Sequence, residues 1–169
     1  EFRYAYKSAG DWVSEIIDPD PSAGAYASLA LDTNDNPECV YVSADSPYEL
    51  RYARRVGAAW DTETIKELGG QTFYSTSSAI DSLGNPHLIF LNKWDGSLEY
   101  IHWDNGEWVE YTLATTAVTR RNSRIALDQD DNPHFAFTTL RLGSNNLTYA
   151  YWNQTEWTIE DLTEGGVNN

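Results

Sequence analysis

The chain has 169 residues, enough for one domain with a real core, and 11 Lys+Arg against 26 Asp+Glu leave a formal net charge of −15. So acidic a surface repels a polyanion, which argues against nucleic-acid binding by phosphate neutralisation. Seven Trp, eleven Tyr and five Phe are too much core-forming area for a disordered acidic tail, and the single Cys39 excludes an internal disulfide or a cysteine-based zinc cluster.

In chain order, residues 1–17 hold two short strand-like runs, Phe2-Arg3-Tyr4-Ala5-Tyr6 and Trp12 to Ile17. Residues 28–67 hold four: Leu29-Ala30-Leu31, Cys39-Val40-Tyr41-Val42, Leu50-Arg51-Tyr52-Ala53 and Trp60 to Ile65. Residues 76–114 repeat the set as Ala79-Ile80, His87 to Leu91, Leu98 to Ile101 and Trp108 to Leu113. Residues 123–162 do so again with Ile125 to Leu127, His134 to Phe137, Leu147 to Ala150 and Trp157 to Ile159, leaving 163–169 as a linker-like tail. No window carries a sustained helical stripe.

These runs keep one register. Trp12, Trp60, Trp108 and Trp157 follow each other at steps of 48, 48 and 49 residues, and Tyr4, Tyr52, Tyr100 and Tyr149 each stand eight residues before a tryptophan. An aspartate followed by Asn-Pro recurs at Asp32, Asp81 and Asp128, where it reads as a hairpin connection closed by the aspartate carboxylate. The second run of each unit is nearly continuous in apolar residues, while the third and fourth alternate with polar ones. Four-stranded units of about 40–50 residues with buried inner strands are what antiparallel β-propeller blades require. The fold class is therefore all-β, a single propeller segment of about 3.5 blades, with the repeated Trp and Tyr packing between blades.

The pattern Leu-Ala-Leu-Asp-x-x-x-Asn-Pro, then Leu-x-Tyr-Ala, then Trp-x-x-Glu resembles the blade repeats of secreted or surface β-propeller proteins, mostly bacterial. A second, partial likeness is to propeller lectins, whose blades show a Trp-Asp-Gly-x-x-Trp turn. Trp103-Asp104-Asn105-Gly106-Glu107-Trp108 and Trp152-Asn153-Gln154-Thr155-Glu156-Trp157 echo that turn, whereas Lys7 to Trp12 and Arg55 to Trp60 lack its first tryptophan. The resemblance implies an extracellular or cell-surface location and a fold, and it carries no catalytic assignment.

Residues 1–17 supply only the third and fourth strands of a blade, and three and a half blades fall short of the roughly four to eight that close a ring. The expected partners are thus the missing blades of a longer parent chain or other copies of this one. The absence of Met, even at position 1, and of a basic-then-apolar leader reads as a processed or excised piece. No run approaches the roughly 20 apolar residues of a membrane span.

Candidate chemistry is sparse. In a propeller, the blade-to-blade connections and the loops between second and third strands share one face, where Tyr26, Lys93, Trp94, Arg120, Arg121 and Arg141 are placed to stack on sugars or fork carboxylates. Asp32, Asn34 and Asn36, like Asp128, Asp130 and Asn132, space oxygen ligands as calcium loops do. They lack the turn glycine, and Asp81-x-Leu83 breaks the pattern, so turn capping is the expected role and no cofactor is expected. Asn146 and Asn153 head glycosylation sequons. No catalytic motif occurs, and His87 and His134 after Asn-Pro read as blade-forming residues. The expected function is a non-catalytic extracellular module binding glycan or protein. The alternatives are a self-assembling structural unit and the propeller piece of a glycoside hydrolase.

Overall fold

The computed structural model describes residues 1–45, 47–68, 73–92, 96–114, 123–141 and 144–162, without the side chains of 73, 74, 114, 140, 141, 144 and 145. All its described regular structure is antiparallel β. Strands β1 (Phe2–Ser8) and β2 (Asp11–Asp18) form a two-stranded sheet. β3 (Ala23–Leu31), β4 (Pro37–Ser43), β5 (Glu49–Val56) and β6 (Ala59–Glu67) follow as a four-stranded meander. β7 (Phe73–Ile80), β8 (Pro86–Asn92), β9 (Leu98–Asp104) and β10 (Glu107–Ala114) form the next. β11 (Arg124–Leu127), β12 (Pro133–Arg141), β13 (Ser144–Trp152) and β14 (Trp157–Asp161) form the last. The architecture is that of propeller blades, one of them reduced to its outer two strands. The chain divides into two compact units, Glu1–Gln71 and Thr72–Asn169. Among the described residues no helix is long and apolar enough to cross a membrane.

Turn chemistry sets the strand register. Asp32 Oδ1 accepts the backbone N–H groups of Asn34 and Asn36 at 2.8 Å each, and Asn36 Nδ2 donates to Asp32 Oδ2 at 2.8 Å. Asp81 and Asp128 close their hairpins in the same way. The third residue after each aspartate has positive φ: Asp35 at 62°, Gly84 at 85° and Asp131 at 61°. Only glycine and short polar side chains visit that region readily, so these positions alternate between Asp and Gly. Asn105-Gly106 has positive φ at both residues, which matches the right-handed strand twist of a two-residue hairpin.

Burial follows the expected layering. β4 is buried along its whole length and β8 from Pro86 to Leu91. In the second unit Ile89, Leu91, Leu98, Tyr100, Phe135 and Phe137 form one core. Ile125 of β11 packs into it beside the Ser77 hydroxyl, which accepts the Ile125 N–H at 3.3 Å. Each fully buried Phe or Leu contributes roughly 1.5–3 kcal/mol. In the first unit Ile17, Cys39, Tyr41 and Ala53 form one core cluster, and Phe2 lies against Tyr41 at 4.8 Å between ring centres. Gly24, at φ +102°, has no side chain to collide with the Phe2 ring, which a Cβ would meet at 2.7 Å. Burial, and then the Glu38 charge, push the Cys39 thiol up to about 12, so it behaves as a small apolar side chain.

A partly buried polar network braces the same unit. Arg51 Nη1 donates to Asp18 at 2.9 Å and Asp20 at 3.1 Å, its Nη2 pairs with Glu49, and the Tyr41 hydroxyl donates to Asp18 at 2.7 Å. Burial works to raise the Asp18 carboxyl, but Tyr41, the Asp20 amide and Arg51 together hold it below the usual carboxylate range.

Candidate functional site

In the second unit a cleft of about 250 Å³ opens between the two blades. One wall is His87 from β8, Tyr100 and His102 from β9, and Tyr111 from β10. The opposite wall is the β11–β12 turn at Asp131 to Pro133, with Trp152 and Trp157 from the ends of β13 and β14. Strand periodicity makes the first wall: Tyr100 and His102 are two residues apart, so they share a face. Register adds the rest, since His87 pairs with His102 and Tyr111 with Tyr100.

The cleft floor is aromatic. Tyr100 and Trp157 line it 5.5 Å apart between ring centres, and the buried Phe135 packs behind them at 5.3 and 5.2 Å. Trp152 stands edge-on to Trp157 at 5.2 Å, and Tyr111 is 43% exposed at the rim. Of the repeated Tyr and Trp, Tyr100 and Trp157 pack between blades as expected, whereas Trp12 is 71% exposed, and Trp157 also presents a surface to the cleft.

The polar part is a hydrogen-bonded line. Both His87 Nδ1, at 2.7 Å, and His102 Nδ1, at 2.8 Å, reach the single Tyr100 hydroxyl. His87 Nε2 faces Asp81 Oδ2 at 3.6 Å. Burial holds the His87 imidazole below its ordinary value against the pull of Asp81. Burial, and then the neighbouring His87 charge, lower His102 to about 4, so both rings are neutral at pH 7. The Tyr100 phenol is pushed up by burial. Asp131 spends its carboxylate on Ser82, accepting its N–H at 3.0 Å and its hydroxyl at 2.5 Å.

The first unit carries a counterpart at the same repeat positions. Tyr4 meets Trp60 edge-on at 5.4 Å and stacks on Tyr6 at 5.5 Å. Where the second unit has Tyr111, this one has Glu15, which accepts from Arg55 at 2.7 Å, Trp60 Nε1 at 3.1 Å and the Tyr6 hydroxyl at 3.1 Å. Arg55 also lies over the Tyr6 ring at 5.4 Å, and its buried Nε has no hydrogen-bond partner among the described residues.

Of the residues singled out on the loop face, Lys93, Trp94, Arg120 and Arg121 lie outside the described residues, as does the side chain of Arg141. Tyr26 is 42% exposed with φ 54°, in an irregular stretch of β3. The cleft lies at the other end of the sheets, beside the His87–His102 pair rather than the Leu91–Leu98 pair. Asp32 and Asp128 are occupied by their own turns, and hydrogen bonds from Asn132 above all bring Asp128 down to about 2. Their neighbours Asn34, Asn36, Asp130 and Asn132 donate into those turns. Among the described residues no group of three or more His, Cys, Asp or Glu is arranged to hold a metal ion. Asn146 donates its side-chain amide to Asp161 at 3.0 Å, whereas Asn153 caps an exposed turn through Thr155 and Glu156.

His102, Tyr111 and Trp152 did not stand out in the sequence as site residues. The signal of His102 and Tyr111 was departure from the repeat, whereas Trp152 shares its position with Trp103 and stood out only as part of the lectin-like turn. His102 stands where the other units have Tyr6, Arg54 and Tyr151, and Tyr111 where they have Glu15, Glu63 and Glu160.

No protein-family model and no curated protein sequence matches the chain. Among solved structures it is similar to a fucose lectin from Kordia zhangzhouensis in complex with methyl-fucoside, at 16% identity and a TM-score of 0.52, over 79% of this chain and 96% of that one. It is also similar to AofleA from Arthrobotrys oligospora, at 11% identity and a TM-score of 0.66, over 95% of this chain. The chain spans 50% of the length of AofleA. At these identities the likeness is one of fold, and the fold is the bladed all-β architecture that these proteins share.

Proposed function

We propose that the chain is a carbohydrate-binding propeller module, acting outside the cell and without chemistry of its own, that holds glycans in its inter-blade clefts. The observation that carries this reading is the cleft of the second unit, with aromatic faces at Tyr111, Trp152 and Trp157 beside the polar groups of His102 and Asn132. Sugar rings stack on aromatic faces through their C–H surfaces while their hydroxyls take such polar groups. A fucose lectin with methyl-fucoside bound among the neighbours points the same way. Among the described residues the cleft is lined by one carboxylate, Asp131, already hydrogen-bonded to Ser82, whereas glycoside hydrolysis uses a pair flanking the bond. A glycan array that includes fucosides tests the reading, with Tyr111→Ala and Trp152→Ala as cleft variants. Trp94→Ala and Arg120→Ala test the loop face proposed from the sequence. Loss of signal in the cleft variants alone supports the inter-blade site, and an array blank for the wild type refutes glycan binding.

A second reading, completion of the half blade by another strand pair, rests on the β1 edge. Among the described residues β1 pairs as a strand only with β2. Leu29 of β3 is 54% exposed, although its repeat equivalent Ile125 is 9% exposed against β7 and β8. A groove of about 210 Å³ lined by Phe2, Tyr4, Ile17, Leu29 and Cys39 marks the place. In the second unit that place belongs to the inner strands of the preceding blade. The partner is accordingly an inner hairpin of the same repeat type, from further blades or another copy. Mass photometry of the wild type and Leu29→Arg distinguishes these: a monomer in both sinks association between copies.

A further inference from the structure

The Tyr100 hydroxyl holds one proton and has two imidazole nitrogens within hydrogen-bond distance. With both rings neutral, it donates to one Nδ1 and accepts from the other. Two independent observations give the direction. The first is Asp81 Oδ2 facing His87 Nε2 at 3.6 Å, which favours the proton on Nε2 and leaves His87 Nδ1 as an acceptor. The second is the repeat. Tyr52, at the position of Tyr100, donates to Glu38, at the position of His87, and an ionised carboxylate can only accept. Tyr149 and His134 form the same pair in the last blade, with His134 Nε2 facing Asp128 Oδ2 at 3.4 Å. The tyrosine of each full blade thus points its proton at the residue after Asn-Pro. Tyr100 donates to His87, and His102 must donate its Nδ1–H to Tyr100.

We infer that His102 is held as the Nδ1–H tautomer and presents its Nε2 lone pair as a hydrogen-bond acceptor to a ligand in the cleft, selecting a hydroxyl donor of a neutral sugar. Asp81, His87 and Tyr100 are positioning residues that act through it. Neutral ligands follow from the lining, which among the described residues contains no cation and one carboxylate, Asp131, so an anionic sugar meets repulsion and no counter-charge there. The ligand half of the inference rests on the glycan-binding reading; the tautomer half does not.

The test is long-range ¹H–¹⁵N correlation of the histidine rings in the full chain at pH 7.5, with arrays of neutral and acidic glycans run alongside. The expected spectrum shows His102 protonated at Nδ1 and bare at Nε2, with a shift toward the Nε2–H form in Tyr100→Phe. On neutral glycans held by the wild type, His102→Leu lowers affinity about five- to tenfold, as loss of one neutral hydrogen bond predicts. His102→Gln, which keeps an acceptor oxygen, restores most of it. An Nε2–H tautomer in the wild type overturns the inference, even where glycans bind. A correct tautomer with no glycan retained refutes the functional reading and the ligand half together, and preference for acidic glycans overturns the stated ligand class.

Discussion

Acidification is the perturbation that most directly probes the imidazole pair. Unfolded, His102 titrates near 6.5, and folded near about 4, because burial and the adjacent His87 oppose its charge more than Asp104 and Asp81 favour it. Between those values the unfolded chain binds the proton and the folded chain does not, so stability rises with pH across the window. It is fully present above about pH 6.5 and is lost as pH falls toward 4. Each pKa unit corresponds to about 1.36 kcal/mol, which gives His102 at most about 3 kcal/mol, and solvent in the cleft reduces this to roughly 2. His87, lowered for the same reason, adds to the slope. The lowered carboxylates Asp18, Asp20, Asp32, Asp81 and Asp128 lose their stabilisation as pH falls from the ordinary 3.8 through their folded values, mainly below this window. Urea denaturation between pH 7.5 and 4.5 should show the wild-type midpoint falling steeply, and His102→Gln falling by visibly less. Equal slopes for the two proteins, or a flat wild-type profile, would refute the reasoning.

Three further outcomes are expected. Phe135→Ala removes a ring that is 1% exposed between Tyr100 and Trp157 and should cost about 3–5 kcal/mol in chemical denaturation. Asp81→Ala deprives the Leu83 and Asn85 N–H groups and the Asn85 side chain of their acceptor; a loss of roughly 2–3 kcal/mol and a lower Tm are expected. Gly24→Ala places a Cβ 2.7 Å from the Phe2 ring at a φ of +102°, and should cost roughly 1–3 kcal/mol with earlier proteolysis around Phe2.

The blade architecture was legible because each of its determinants is local and repeated. Asp-x-x-x-Asn-Pro closes its hairpin with bonds inside five residues, and the apolar run after it is buried on both faces at Cys39 to Val42 and His87 to Leu91, whereas in the last blade Phe135 and Phe137 are buried and Ala136 is exposed. The burial of Cys39 was legible for the same reason. The incomplete first blade was also readable as a strand count, and the exposure of Leu29 against the burial of Ile125 is its physical consequence. The cleft was not legible in this way. It is made by two neighbouring blades, and no spacing within one blade says that the ring of Trp157 will lie over Tyr100 or that Asp131 will reach Ser82 of the blade before it.

Repeat, strand order, hairpin chemistry and acidity were thus determined by the sequence alone, since each depends on residues a few positions apart or on composition. Tertiary structure alone decided which aromatic residues do more than pack, where the cleft opens, and that one tyrosine hydroxyl is shared by two histidines, His87 and His102, fifteen residues apart. The physical reason is that a hydrogen-bond direction depends on every group in the line. That line, from Asp81 through His87 and Tyr100 to His102, exists only once β7 to β9 are paired in register.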